Sequence, residues 1–313
     1  MNRNEIGGFF ELELRAGNEY YPDLISLNSA RNALRYIVRV YGITEMYVPY
    51  YTCPVIHDAL KSESCKLLFY AIDSNLLPVI EFPDDSFILY TNYYGVCTKN
   101  SKTLANRYKN LIIDNAQSFY SQPTGLACFY SPRKFFGLPD GGYLKIDKIL
   151  EEQFEQEISH QRCSHLLKRA DLSAEVAYSE FKTNDNSLDN LPIRTMSRFT
   201  KKLLCSIDYE NAKQKRIENY EFLNENLSNI NELNLLDNEI DVPMVYPLLI
   251  KNENIRSKLI QNKIYVATYW PEMEMNGAET QIEEYLHKYL LPLPIDQRYR
   301  EEDMKQILKV IYE

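Results

Sequence analysis

The apolar positions of this chain change period several times, and each change marks an element. Ala30, Ala33, Leu34, Ile37, Val38 and Tyr41 recur at the three- and four-residue spacing of one helix face, with Ser29 before them as a cap and Gly42 behind as a stop. Short apolar runs without alternation follow at 46–49, 65–72, 87–90, 111–113 and 127–130, the pattern of strands buried on both faces. A short helix after Pro54 and another over 101–108 separate some of these runs. Strands alternating with helices imply βαβ units and a mostly parallel sheet.

The flanks read differently. Near the start, Gly7-Gly8 and the alternating Phe10-Glu11-Leu12-Glu13-Leu14 predict an edge strand or an arm. After Gly142 the chain turns polar and helical from Asp147 to about Asn184, and TNDNSLDN at 183–190 has the composition of a loop. A long helical stretch over 199–227 leads to a further set of elements: strands at 245–250 and 264–266, a helix at 254–261 and a last helix reaching Tyr312. The expectation is an α/β protein in two unequal domains. Residues 1–205 form a large domain with a mostly parallel central sheet flanked by helices, and residues 206–313 a smaller α+β domain.

Composition narrows the function classes. The 313 residues carry a net charge of −9, which opposes a nucleic-acid or anionic-membrane surface, because such sites need a basic field. No run of 18 apolar residues occurs and the first residues lack the apolar core of a signal peptide, so the chain reads as cytoplasmic. The six cysteines are scattered without close pairs and read as buried thiols. His57, His160, His165 and His287 are equally dispersed; His160 and His165 read as surface or capping residues, and no metal site is expected. Twenty-five tyrosines suit a polar cleft or a subunit contact.

The chemistry concentrates in 111–142, LIIDNAQSFYSQPTGLACFYSPRKFFGLPDGG. Asp114 stands at the carboxyl end of one predicted strand, where open α/β sheets bind ligands. Gln117 follows three residues on, and the next strand leads through Ser131-Pro132 to Lys134. Two neighbouring strands thus deliver a carboxylate and an amine to one crevice. Pyridoxal phosphate asks for that pair: an amine to condense with its aldehyde and an anion to keep its pyridine nitrogen protonated.

The wording of this stretch, D-N-A-Q at 114–117 and then P-R-K-F-F-G-L-P-D-G-G at 132–142, resembles the DegT/DnrJ/StrS-type sugar aminotransferases. These are fold-type-I pyridoxal phosphate enzymes with D-x-A-(Q/H), a lysine two residues after a proline, and an acid-Gly-Gly beyond it. The resemblance implies that Lys134 binds pyridoxal 5′-phosphate and moves the proton, that Asp114 holds the pyridine nitrogen, and that Gln117 bonds the phenolic oxygen or positions the ring. It further implies amination of a nucleotide-linked keto sugar with glutamate as donor, in surface polysaccharide or amino-sugar biosynthesis, by a homodimer.

Several positions depart from the family. Its S-G-T-A-A-L phosphate-binding helix start is here Ser29, Ala30, Arg31, Asn32, Ala33, Leu34, and Arg31 offers a guanidinium in compensation. The aromatic that stacks on the cofactor is replaced by Cys53, leaving Tyr51 or Tyr50 to stack. The family's serine five residues before the lysine is Phe129, and its N-x-R has become Pro192-Ile193-Arg194. Ser131, Arg31 and Arg194 are the candidate replacements. The alternative is a degenerate aminotransferase-fold protein with a binding or scaffolding role and little or no cofactor.

Overall fold

The computed structural model describes residues 6–233, 235, 241–270 and 280–313. In chain order the elements are β1 (Ile25–Leu27), α1 (Ala30–Tyr41), β2 (Glu45–Pro49), α2 (Pro54–Ser62), β3 (Lys66–Tyr70), β4 (Ile88–Thr91), α3 (Thr98–Arg107), β5 (Leu111–Asn115), β6 (Ala127–Tyr130) and β7 (Gly142–Ile146). Then come α4 (Ser164–Asp171), α5 (Ala174–Ser187), α6 (Arg198–Cys205), α7 (Tyr209–Leu227), β8 (Val245–Leu249), α8 (Glu253–Gln261), α9 (Gln281–Tyr289), β9 (Leu290–Pro294) and α10 (Glu301–Tyr312).

One seven-stranded sheet has the order β1-β7-β6-β5-β4-β2-β3. Within it β7 runs antiparallel to both neighbours, and the pairs from β6 to β3 are parallel. Successive residues of each central strand enter different hydrophobic clusters: Ile113, Tyr90 and Tyr130 on one side, Ile112, Leu89 and Phe129 with Ala33, Leu34 and Ile37 of α1 on the other. This two-sided burial is why the strands read as unbroken apolar runs. The α1 boundaries follow from chemistry: the Ser29 side chain accepts from the Asn32 amide, and Gly42, at φ 61°, ends the helix in the left-handed conformation. Antiparallel β8 and β9 form a second sheet packed with α7, α8 and α10 around Leu223, Tyr246, Leu259, Leu293 and Met304.

Three expectations need correction, and a fourth is decided between its alternatives. Of the two readings of residues 10–14, the arm is the one seen: the stretch forms no strand, and ion pairs join Lys202 to Glu11 and nearby Arg15 to Asp208. The helix α5 continues to Ser187, through most of the segment expected to be a loop. There Thr183 bonds back to the Ser179 carbonyl and buried Asn184 donates to the Pro139 carbonyl, so packing overrides composition. Residues 264–266 are not a strand: Lys263, at φ 60°, turns the chain, and Ile264 and Val266 are buried without a ladder. His165 is buried beside Phe181 instead of exposed, with its pKa lowered first by burial and then by Arg133.

Among the described residues no helix is long and apolar enough to cross a membrane.

Candidate active site

The parallel strands bring their carboxyl ends to one edge. Asp114 is in register with Thr91 of β4 and Phe129 of β6, and the Asn92 amide donates to the Asp114 carbonyl at 3.0 Å. Pleating sends Asp114 to the same side as Ile112, the side that α1 covers. Asp114 is 5 % exposed, and its carboxylate accepts from the Ala116 amide at 2.7 Å. Burial raises its pKa above the ordinary value, while Lys134 and the Ala116 amide pull the other way. The lysine charge therefore reaches the carboxylate across this edge.

Lys134 ends a single 3-10 turn, Pro132–Lys134, that leaves β6. Its amide donates to the Ser131 carbonyl at 3.1 Å, and its exposed side chain makes no hydrogen bond or ion pair among the described residues. Neighbouring Ser131 is 8 % exposed, and its hydroxyl likewise lacks a partner. Gln117 is 1 % exposed: its Oε1 accepts from the Tyr94 amide at 2.9 Å, whereas its buried Nε2 has no partner. A buried amide N–H left unsatisfied is costly unless a ligand accepts from it.

The Asp140-Gly141-Gly142 segment explains how the pieces meet. The carboxylate of Asp140 accepts from the Ser197 amide at 3.0 Å and the Ser197 hydroxyl at 2.8 Å, and also from the Thr200 hydroxyl, so it anchors the start of α6. At Gly142 a Cβ would lie 2.4 Å from the Ser29 backbone, and the Gly141 amide donates to the Asn28 carbonyl at 2.9 Å. Only a bare backbone lets the start of α1 cross β7 this closely. Gly141, at φ 121°, sits where a Cβ would be 3.5 Å from the Pro132 ring, against the lysine turn. Substituting Gly142→Ala is expected to cost about 3 kcal/mol, since all three crowding atoms are backbone; urea unfolding of the purified variant checks this.

On the side where α1 begins, two guanidiniums converge. Arg31 pairs with Asp189, and Arg133 pairs with Asp185 of α5 at 3.2 Å. Burial lowers the pKa of Arg133, Asp185 raises it, and the charge of Arg31 adds to the lowering. Its buried Nε has no partner. Sequence reading found Arg31 but missed Arg133, Asp185 and Asp189; the adjacency of Arg133 to Lys134 was the available signal, while both acids fell in the stretch taken for a loop.

Other expected residues are placed as follows. Ser29 and Ala30 form the cap and first residue of α1. Tyr51 is fully buried, edge-on to Trp270 at 4.5 Å, and its hydroxyl accepts from that of Tyr94. Cys53 is the residue there that feels Lys134, Asp114 and Arg31 together, and burial is the main cause of its raised pKa. Arg194 pairs with Glu155 and Glu157, away from the lysine turn. Among the described residues no cluster of side chains suits a metal ion.

No family model matches the sequence, and no curated protein matches it. Solved structures do. A DegT DnrJ EryC1 StrS aminotransferase from Brucella abortus is similar at 16% identity and TM-score 0.63, with 92% of this chain and 85% of that one covered. A sugar aminotransferase from Micromonospora echinospora is similar at 12% identity and TM-score 0.63, covering 93% and 87%. NtdA from Bacillus subtilis, solved with bound cofactor PMP, is similar at 17% identity and TM-score 0.64, covering 93% and 73%. What these chains share with the present one at such identities is architecture, and by that measure it has the α/β fold of the fold-type-I aminotransferases, as its sequence led us to expect.

Proposed function

We propose that the chain is a pyridoxal phosphate-dependent aminotransferase that acts on a keto sugar, most simply one linked to a nucleotide, with glutamate as amino donor. The observation that carries this reading is a pair on neighbouring parallel strands: a buried carboxylate, Asp114, at the carboxyl end of β5, and Lys134 on the turn that leaves β6, an amine with no hydrogen bond or ion pair among the described residues.

The donor set fits the cofactor in its kinds of atom. Asp114 supplies the anion for a protonated pyridine nitrogen, and the unsatisfied Nε2 of Gln117 supplies a donor for the phenolic oxygen. The start of α1, Arg31 and Ser131 supply positive potential and donors for the phosphate. When bound, pyridoxal phosphate offers an aldehyde to the amine and a ring that stores an electron pair. Lys134 then has two tasks, binding through Nζ and, once released by the amino donor, carrying a proton between substrate and ring. Ping-pong kinetics follow from two half-reactions sharing one site.

Arg31 enters this scheme already paired. A double substitution Asp185→Asn and Asp189→Asn frees both guanidiniums and is expected to tighten pyridoxal phosphate binding about fivefold, the worth of partly exposed ion pairs. Equilibrium absorbance titration checks it. A homodimer in the cytoplasm completes the proposal, with Arg194 available to the neighbouring subunit; sedimentation equilibrium tests the dimer.

The same ion pairs, with Tyr51 pinned in the core, favour a second reading: a protein that keeps the fold but uses the cleft for binding or scaffolding. Adding pyridoxal phosphate to the purified protein discriminates. A new visible band that disappears when glutamate is added supports the aminotransferase, whereas a colourless protein that takes up no cofactor supports the second reading.

A further inference from the structure

Arg216 of α7 is 2 % exposed, and a charge held that deep carries a desolvation cost that a leucine or methionine of similar volume avoids. Among the described residues no carboxylate forms an ion pair with it. Its hydrogen bonds go to Gln297 Oε1 at 3.1 Å and to three main-chain carbonyls: Met244 at 2.9 Å, Phe135 at 3.3 Å and Pro243 at 3.4 Å. Burial lowers its pKa to about 10, with Asp296 opposing, so the guanidinium stays charged at neutral pH.

Two of those carbonyls lead back to the candidate site. Phe135 is the residue after Lys134. Its ring lies under the Arg216 guanidinium at 4.5 Å, its carbonyl also accepts from Gln297 Nε2 at 3.0 Å, and its amide donates to the Pro132 carbonyl at 3.0 Å. The lysine turn is thus clamped immediately past the lysine. The other path runs through Met244, whose carbonyl takes Arg216 and whose amide donates to the Tyr94 carbonyl at 2.8 Å; the Tyr94 amide in turn donates to Gln117 Oε1 at 2.9 Å. Gly95 lets these strands of chain touch, since a Cβ there would meet the Gln117 carbonyl, the Met244 amide and the Pro243 Cα, all at 3.0 Å.

We propose that Arg216 is a positioning residue: one planar fork that fixes the backbone of Lys134 and, through Met244 and Tyr94, the amide of Gln117 relative to each other. A planar donor with five N–H groups can serve several divergent carbonyls at once, and lysine cannot. This inference rests on the reading of Lys134 as the cofactor lysine.

The test separates capture from binding. Arg216→Lys, Arg216→Met and Gln297→Leu are titrated with pyridoxal phosphate and with 4′-deoxypyridoxine 5′-phosphate, which has the same ring and phosphate but no aldehyde. Their folding is monitored by thermal melting. The expected result is analogue affinity within about twofold of wild type, with covalent capture by Lys134 slowed about 10- to 100-fold in the Arg216 variants and less in Gln297→Leu, the size of effect a small misplacement of a reacting group produces. Capture as fast as wild type in the folded variants overturns the inference, and so does a parallel loss of analogue affinity. If both Arg216 variants fail to fold, Gln297→Leu decides alone, by the same two measurements. Wild-type protein that takes up neither ligand overturns the cofactor reading, and this inference with it.

Discussion

Lys134→Ala is expected to lower transamination by about four orders of magnitude or more, because one amine serves both as the attachment point and as the proton carrier. The loss should fall on turnover with little change in stability. Lys134 is exposed and makes no hydrogen bond or ion pair among the described residues, so the fold does not depend on its side chain. Adding a small primary amine to the variant should restore part of the rate, since it replaces the missing base without being attached. Single-turnover kinetics, with thermal melting as the control, check both halves.

Asp114→Asn is expected to show opposite effects on stability and activity. In the free protein the Asp114 carboxyl has a pKa raised by burial, so between the ordinary carboxylate range and that raised value the folded state holds a proton the unfolded state has lost. Stability contributed by this residue is therefore lost as pH rises through that window, and above it the ionised carboxylate is a burden the fold carries. Asparagine keeps an acceptor for the Ala116 amide and removes the charge. The variant without cofactor should melt at the same or a higher temperature than wild type at pH 7, with a flatter pH dependence. Turnover should drop about 10²- to 10³-fold, the range found when one preorganised electrostatic partner is removed. Added cofactor should stabilise the wild type more than the variant, because a pyridinium cation turns the buried carboxylate from a burden into half of a pair. Melting curves from pH 4 to 8, with and without pyridoxal phosphate, read out all of these effects.

Much of the large sheet was legible because its strands are buried on two sides. Ile112 and Ile113 enter opposite clusters, and no polar residue interrupts them. The start and stop of α1 were legible because Ser29 and Gly42 act through their own side chain and backbone, within four residues. Elements that depend on distant partners were not. The three-residue β1 exists because it pairs with β7, far along the chain: Ile25 with Leu144, Ser26 with Tyr143 and Leu27 with Gly142. The last turn of α5 carries Asn184, whose partner is the Pro139 carbonyl, and no local pattern records that contact.

The site divides along the same line. Asp114, Gln117 and Lys134 stand out as candidates because each follows a strand end, and strand ends are visible in the sequence. Ser29 and Arg31 stand out as candidates because a helix start is visible. Cys53 stood out only as a missing aromatic, and the contact of Tyr51 with Trp270, far along the chain, left no trace in the local pattern. Arg216 gave no signal at all: in a charged helix it looks like a solvated residue, and its importance lies in carbonyls of three other segments.

The most direct measurement is to treat the purified protein with pyridoxal phosphate, reduce it with borohydride, digest it and locate the added mass. The account predicts a single pyridoxyl group on the peptide containing Lys134, absent from Lys134→Ala and diminished in Asp114→Asn. A label spread over surface lysines, or none on Lys134, contradicts it.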